Sequence, residues 1–225
     1  GKFPDRLPPI NQRPPLSLKE NTISYSAIFE DLIKLTLCVY TPSAYIHESK
    51  RDEYEEKYGR DMSHGVFFKQ ADREQGIRRL MSINLMKRME SSIYSFNQTL
   101  ERIIARIEHT IHNIDLFEQQ KSNYELIEDF SEFDEFDEDY DVSIGNKVSI
   151  SLKDMDYRSW KNDLQADAVV LRHLYKETNS ITVEDDYKLQ TLLEQIKKKI
   201  EHPINGNNKK IIIFTAFADT ANYLF

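Results

Sequence analysis

Glycine is scarce in this sequence, which contains 6 glycines among 225 residues. A P-loop needs two glycines five residues apart, followed by Lys and Ser or Thr, because backbone N–H groups must come close to the phosphates. No two glycines here have that spacing, and the dinucleotide-binding and G-x-S-x-G patterns are missing for the same reason. The sequence therefore excludes a nucleotide site of these types within the chain.

Cysteine and long apolar runs are almost as rare. The single cysteine, Cys38, cannot form a disulfide within the chain, which is typical of a reducing compartment. Its neighbours Leu37, Val39 and Tyr40 indicate a buried structural thiol rather than a nucleophile. No apolar run approaches the ~20 residues that a membrane-spanning helix needs. We therefore expect a cytoplasmic protein with no membrane partner.

Basic residues are absent from residues 125–141, which contain ten carboxylates. The formal net charge of the chain is −8, and it would be +2 without this segment. We interpret residues 125–145 as an exposed acidic loop. Its D-E-F-D sequence at residues 134–137 has the form of a helicase metal-binding box, but such a box follows a buried apolar strand. Here it lies among further acidic residues, so we predict no metal site.

Apolar residues at helical spacing dominate the middle of the sequence. From Met86 to Ile107 they recur at intervals of three and four residues, which is a heptad pattern. A four-residue step from Ile107 to Ile111 predicts a shift of register. A helix over residues 71–120 would have to break or pack against partner helices to bury this stripe. Shorter helices are predicted at about residues 25–39, 49–58, 155–176 and 184–201.

The last seventeen residues change character. Residues 209–214 read K-K-I-I-I-F, a short run that predicts a strand buried on both faces, as in a parallel α/β sheet. A helical pattern starts directly after Phe217. Such a strand needs neighbouring strands, and the sequence predicts almost none, so we interpret the chain as a fragment of a larger protein.

Basic residues cluster near the start of the long helical pattern. The cluster consists of Lys69, Arg73, Arg78, Arg79, Lys87 and Arg88. These side chains could contact nucleic-acid phosphates or could pair with the acidic segment. The composition does not decide between contact with nucleic acid and pairing within the chain.

Four separated motifs resemble superfamily-two helicases of the Swi/Snf-related type, including those that carry a phospholipase-D-like domain. Residues 85–92 match the L-x-K-R-x-E-S-S sequence of the family's inter-lobe helix. Residues 3–9, F-P-D-R-L-P-P, look like the exit from the first RecA-like lobe, and D-Y-K-L at residues 186–189 looks like the last helix before the second lobe. Residues 210–224 are similar to helicase motif IV.

The resemblance implies a division of the chain into three parts. Residues 1–17 would lead out of lobe one, residues 18–205 would form a helical inter-lobe domain, and residues 206–225 would begin lobe two. The implied fold is mainly α, a long helical hairpin or bundle with the first β-strand and helix of a RecA-like α/β lobe at the C-terminus.

The family's motor hydrolyses ATP between two lobes while it moves on DNA. The resemblance implies that the catalytic devices lie outside these residues, so we expect no catalytic residue and no cofactor here, with ATP and Mg²⁺ bound by the parent protein. The implied partners are DNA, through the parent protein, and the two lobes in cis. The candidates for nucleic-acid or inter-lobe contact are Lys87, Arg88, Glu90, Ser91, Ser92, Arg78 and Arg79. The motif IV-like positions are Phe214, Thr215, Phe217 and Asp219.

An alternative function is a non-enzymatic helical scaffold or interaction module. In that case the heptad seam would bind a second coiled coil. A stable oligomer formed through the seam would support this alternative, and a monomer would support the inter-lobe arm.

Overall fold

The structure is a computed structural model that describes residues 6–58, 60–62, 66–68, 70–120, 125–128 and 148–225. Within these residues the chain is mainly helical, as predicted. The helices are α1 (Tyr25–Lys34), α2 (Glu48–Tyr58), α3 (Gln70–Ser91), α4 (Ile93–Gln120), α5 (Tyr157–Asn179), α6 (Tyr187–Glu201) and α7 (Ala218–Leu224).

The described strands form two short antiparallel hairpins. β1 (Arg60–Met62) pairs with β2 (Val66–Phe68), and β3 (Glu125–Glu128) pairs with β4 (Val148–Ser151). β3 takes up the first residues of the predicted acidic loop, and its partner β4 begins three residues after the end of that loop. The rest of that loop, including the D-E-F-D sequence, lies outside the described residues.

The long helical pattern forms two helices that are separated by Ser92. Ser92 caps α4, since its Oγ accepts a hydrogen bond from the backbone N of Ser95 at 3.0 Å. Backbone bonds from Ser92 N to Arg88 O and from Phe96 N to Ser92 O continue across the break. The predicted interruption of the long helix is therefore a single-residue break at a capping serine.

The buried face of α4 keeps its heptad spacing through the predicted register shift. Ile107 and Ile114 are fully buried, and Thr110 lies between them at 5% exposure, whereas Ile111 is only partly covered. Thr110 fits the apolar face because its hydroxyl donates to the carbonyl of Arg106 at 2.9 Å. The shift expected from Ile111 was therefore wrong, since a threonine occupies the heptad position.

The first helix is shorter than its apolar pattern predicted. α1 ends at Lys34, and Leu37 adopts the left-handed conformation with φ of 50°. Two 3-10 turns, Cys38–Tyr40 and Pro42–Tyr45, follow it. The reason is tertiary, because the side chain of Asp167 accepts from the backbone N of Thr36 at 2.8 Å and of Cys38 at 3.1 Å. These bonds replace helical bonds.

The chain divides into two compact units. Unit 1 comprises Gly1–Leu35, Ser82–Ile103 and Val170–Phe225, and unit 2 comprises Thr36–Met81 and Ile104–Val169. The predicted domain boundaries after residues 17 and 205 stay predictions. The buried apolar residues of unit 1 include Ile28, Leu32, Leu85, Phe96, Leu100, Leu171 and Leu174. Those of unit 2 include Leu37, Val39, Ile107, Ile114, Ile150, Leu164 and Trp160.

Cys38 lies in the core of unit 2 and is 1% exposed. Its carbonyl accepts a hydrogen bond from the indole Nε1 of Trp160 at 3.0 Å. Burial, together with the nearby charge of Asp167, raises the pKa of the thiol to about 12. The prediction of a buried structural thiol is confirmed.

We expect Cys38 to be unreactive in the folded protein. The thiolate is the reactive form, and neither ionisation nor reagent access is possible in the core at pH 8. Ellman's reagent should therefore leave the native protein unlabelled and label it fully in denaturing urea. Rapid stoichiometric labelling of the native protein would contradict this expectation.

The C-terminal residues form only part of the predicted α/β element. α7 is present, but residues 208–215 form no strand and pair with no described segment. A parallel strand requires a neighbour that satisfies its backbone groups, and the described chain offers none beside this run. Ile212 is 78% exposed and Phe214 is 90% exposed. None of the described helices is long and apolar enough to cross a membrane.

Candidate functional site

The candidate site lies in unit 1, where α3 ends beside α6 and α7. We call it the junction and define it by the residues that contact one another there: Arg88, Ser91, Ser92, Lys188, Thr215, Phe217, Asp219 and Thr220. These residues come from three segments that are far apart in the sequence. The contacts between them are polar and specific.

A buried guanidinium forms the centre of the junction. Arg88 is 3% exposed, and its Nη1 lies 2.5 Å from Oδ2 of Asp219 and 3.1 Å from Oγ of Ser95. The Arg88 guanidinium also lies over the ring of Phe217, 4.7 Å from the ring centroid. Arg102, which is half exposed, approaches the second oxygen of Asp219 at 3.3 Å. One carboxylate therefore bridges an arginine of α3 and an arginine of α4.

Four hydroxyl groups form a second set of contacts. Thr220 Oγ1 lies 2.8 Å from Ser91 Oγ and 2.9 Å from Ser92 Oγ, and Ser91 Oγ also lies 3.3 Å from Thr215 Oγ1. Thr220 is 5% exposed. A hydroxyl can donate one hydrogen bond and accept others, so such a set can satisfy itself without water. The break between α3 and α4 is thereby held against the first turn of α7.

Lys188 of α6 closes the junction at the end of α3. Its Nζ donates to the carbonyl of Ser91 at 2.9 Å and to the carbonyl of Glu90. The last carbonyls of a helix lack partners within the helix, and a cation there also interacts favourably with the helix dipole. The ammonium of Lys188 therefore caps α3 from outside the helix.

Asp186 positions α6 and α7 together. It is 3% exposed and caps α6, because its Oδ1 accepts from the backbone N of Leu189 at 3.0 Å. Its Oδ2 accepts from the hydroxyl of Tyr223 at 3.1 Å, and burial together with the Asp186 charge raises the pKa of Tyr223. The ring of Tyr223 stacks on Tyr94, with centroids 5.1 Å apart and planes 3° from parallel.

The structure brings together more than half of the predicted site residues. Six of them belong to the junction: Arg88, Ser91, Ser92, Thr215, Phe217 and Asp219. Lys87 and Glu90 have exposed side chains on α3, and Phe214 is exposed as well. Arg78 and Arg79 belong to unit 2, where Arg78 Nη1 donates to the carbonyl of Thr36 at 3.4 Å. The predicted pair Lys87–Arg88 therefore divides into one exposed and one buried residue.

Sequence reasoning missed several contacts of the junction. Lys188, Thr220 and Tyr223 lie within motifs that carry the resemblance, yet their roles could not be read from spacing, since their partners are 97, 128 and 37 residues away along the chain. In the sequence, Thr182 with Asp185 three residues on resembles a capping box, which predicts a cap at Thr182. In the structure Asp186 caps α6, and Thr182 donates to the carboxylate of Asp185 at 2.7 Å.

The polar side chains of the junction are paired within the chain. The carboxylate of Asp219 binds two guanidinium groups, and that of the neighbouring Asp186 accepts from a backbone N–H and from the hydroxyl of Tyr223. Within the described residues no group of three or more His, Cys, Asp or Glu side chains is placed to hold a metal ion. No protein-family model, curated protein sequence or solved structure gave a significant match to this chain.

Proposed function

We propose that this chain is the helical inter-lobe arm of an ATP-dependent DNA helicase or translocase of the Swi/Snf-related type. The observation that carries the proposal is the junction. Three of the motifs that resemble this family, at residues 85–92, 186–189 and 210–224, contact one another there. Motifs that are conserved in a family for a joint task are expected to meet in space, and an accidental resemblance gives no reason for such contact.

The arm would act by transmitting movement. In this proposal, residues 215–224 lead into the second motor lobe, and the junction fixes them to the end of α3. A shift of that lobe would then move α3 and α4 with it, because the Arg88–Asp219 pair and the hydroxyl set leave little freedom between the elements. ATP and Mg²⁺ would be bound by the two lobes of a cytoplasmic parent protein, which would also provide the main contacts to DNA.

The buried seam disfavours the alternative of a coiled-coil scaffold. Phe96, Leu100 and Ile107 are fully buried by the chain itself, so the α4 seam is not exposed for a second helix. A scaffold that bound through this seam would have to unpack its own core first.

The proposal predicts that weakening the junction uncouples ATP hydrolysis from DNA. In the full-length protein, Thr220→Val removes the hydroxyl that binds Ser91 and Ser92, each bond being worth about 1 kcal/mol. We expect the ratio of DNA-stimulated to basal ATPase rate to fall about thirtyfold, since the two bonds together amount to ~2 kcal/mol and ~1.4 kcal/mol corresponds to a factor of ten. Steady-state ATPase assays over a range of DNA concentrations measure this ratio.

Thr191→Val is the matched control. Thr191 also lies in unit 1, but its hydroxyl donates to the carbonyl of Tyr187 within α6, at 2.7 Å, so coupling should be unchanged. Unaltered coupling in both Thr220→Val and Lys188→Met would contradict the proposal. ATP hydrolysis by the purified 225-residue chain would also contradict it. A gene whose sequence flanking these residues encodes no P-loop and no D-E-x-H box would do the same.

A further inference from the structure

A cluster of lysines lies at the end of α6 and in the turn that follows it. Lys197, Lys198 and Lys199 occupy the last turns of the helix, and Lys209 and Lys210 follow eight residues beyond its end. All of these but Lys199 have exposed side chains, and Lys199 is partly exposed. We call these five residues the lysine cluster. The basic residues that the sequence predicts as contacts lie on the long helix and are not part of this cluster.

The turn folds back so that the two parts of the cluster lie together. Asn205 and Gly206 adopt positive φ angles of 59° and 74°, which reverse the chain after α6. Lys199 Nζ then donates to the carbonyl of Asn208 at 3.1 Å, and the side chain of Asn208 accepts from the backbone N of Lys210 at 3.1 Å. The first bond joins Asn208, the residue before Lys209, to the last turn of the helix, and the second fixes the backbone of Lys210 to the same asparagine.

In the part of the chain that the structure describes, the exposed lysines of the cluster, Lys197, Lys198, Lys209 and Lys210, have no carboxylate at ion-pair distance. Other lysines of this chain do have carboxylate partners: Lys19, Lys34, Lys50 and Lys161. The helix dipole accounts for lysines in the last turn of α6, but it does not account for Lys209 and Lys210, which lie outside the helix.

We infer that the lysine cluster binds the phosphate backbone of nucleic acid without regard to sequence. Lysine ammonium groups act as point charges on phosphate oxygens, and the exposed amides of Asn207 and Asn208 can donate to the same oxygens. A lipid surface fits less well. An interfacial helix needs a continuous free apolar face. On α6, Leu193 and Ile200 are exposed, at 47% and 41%, but Leu189, Leu192 and Ile196 are partly covered by the protein. The inference rests on the proposed function only in choosing DNA over RNA.

The salt dependence of DNA binding tests this inference. The 225-residue chain is titrated into a short fluorescein-labelled duplex of arbitrary sequence, and anisotropy is followed at several salt concentrations. Each phosphate contact contributes about 0.9 to the slope of log K against log salt. The Lys209→Gln/Lys210→Gln variant should lower that slope by about 2. The variant that also carries Lys197→Gln and Lys198→Gln should lower it by about 3 to 4.

The Lys34→Gln/Lys50→Gln variant controls for the change in net charge. It removes two positive charges, as Lys209→Gln/Lys210→Gln does, but from lysines that already bind Asp31 and Glu53. Its slope should therefore match that of the wild-type chain. An unchanged slope in the quadruple variant would overturn the inference. Binding to anionic-lipid vesicles with no binding to the duplex would also overturn it.

Failure of this inference can be told apart from failure of the proposed function. Thr220→Val tests the coupling of ATPase to DNA and leaves the lysine cluster intact, so its duplex-binding slope should equal that of the wild type. If the lysine substitutions lower the salt-dependence slope while Thr220→Val leaves the coupling of ATPase to DNA unchanged, only the proposed function fails. If Thr220→Val lowers the ATPase coupling while the lysine substitutions leave the salt-dependence slope unchanged, only the inference about the lysine cluster fails.

Discussion

Asp219→Ala should lower the free energy of unfolding by about 3 kcal/mol, because it leaves the buried guanidinium of Arg88 without its carboxylate. Removal of one partner from a buried ion pair costs roughly 3–5 kcal/mol. The lower end applies here, since the Asp219 side chain retains 18% exposure and water can reach it. Urea unfolding followed by far-ultraviolet circular dichroism measures the change.

Arg102→Ala shows how much of the stability lost in Asp219→Ala comes from the exposed Arg102–Asp219 pair and how much from the buried Arg88–Asp219 pair. Arg102 also binds Asp219, but it is 49% exposed and its contact is longer, at 3.3 Å, so its loss should cost no more than about 1 kcal/mol. A double-mutant cycle with Arg88→Met and Asp219→Ala should then give a coupling energy of several times that of the Arg102–Asp219 pair. Equal effects of Asp219→Ala and Arg102→Ala would show that Arg88 does not depend on this carboxylate.

Asp167→Ala should destabilise unit 2 by about 3–4 kcal/mol. Asp167 is 2% exposed and accepts hydrogen bonds from the backbone N of Thr36, the hydroxyl of Thr36 and the backbone N of Cys38, at 2.8, 2.9 and 3.1 Å. A hydrogen bond to a charged acceptor is worth about 1.5–3 kcal/mol, and a buried donor left without a partner carries a desolvation cost. Urea titration of the variant gives the change directly.

Asp115→Ala is the control for this substitution in the same unit. Its carboxylate pairs with Lys161 at 2.5 Å but is 41% exposed, so its loss should cost about 0–1 kcal/mol. The Cys38 thiol adds a second readout. If Asp167 holds residues 36–38 in place, Ellman's reagent should label Cys38 faster in native Asp167→Ala than in the wild type. Equal stability of the two aspartate variants would contradict the assigned role of Asp167.

The sequence predicted the parts of the site but not their arrangement. Arg88, Ser91, Ser92 and Asp219 could be chosen because they lie in motifs that resemble a family. The motifs could not predict that Arg88 is buried and Lys87 exposed. Adjacent helical residues point about 100° apart, and only the neighbouring elements decide which of the two is covered. Lys188 lies in the D-Y-K-L motif, but its contact with the end of α3 could not be predicted, since an exposed helical lysine has no preference for a distant helix end.

Helical periodicity determined most of the fold, because a repeating apolar stripe can be buried only on one face of a helix. The sequence by itself thus determined the mainly helical class, the heptad face of α4, and α5 and α6 to within a few residues. Only the tertiary structure decided where helices end: Asp167 takes the backbone N–H groups that would have continued α1. It also decided that residues 208–215 form no strand, because a strand depends on a neighbour that local sequence cannot provide. A helix satisfies its own backbone and is readable from its sequence, whereas helix ends, strands and the junction depend on partners that are far away along the chain.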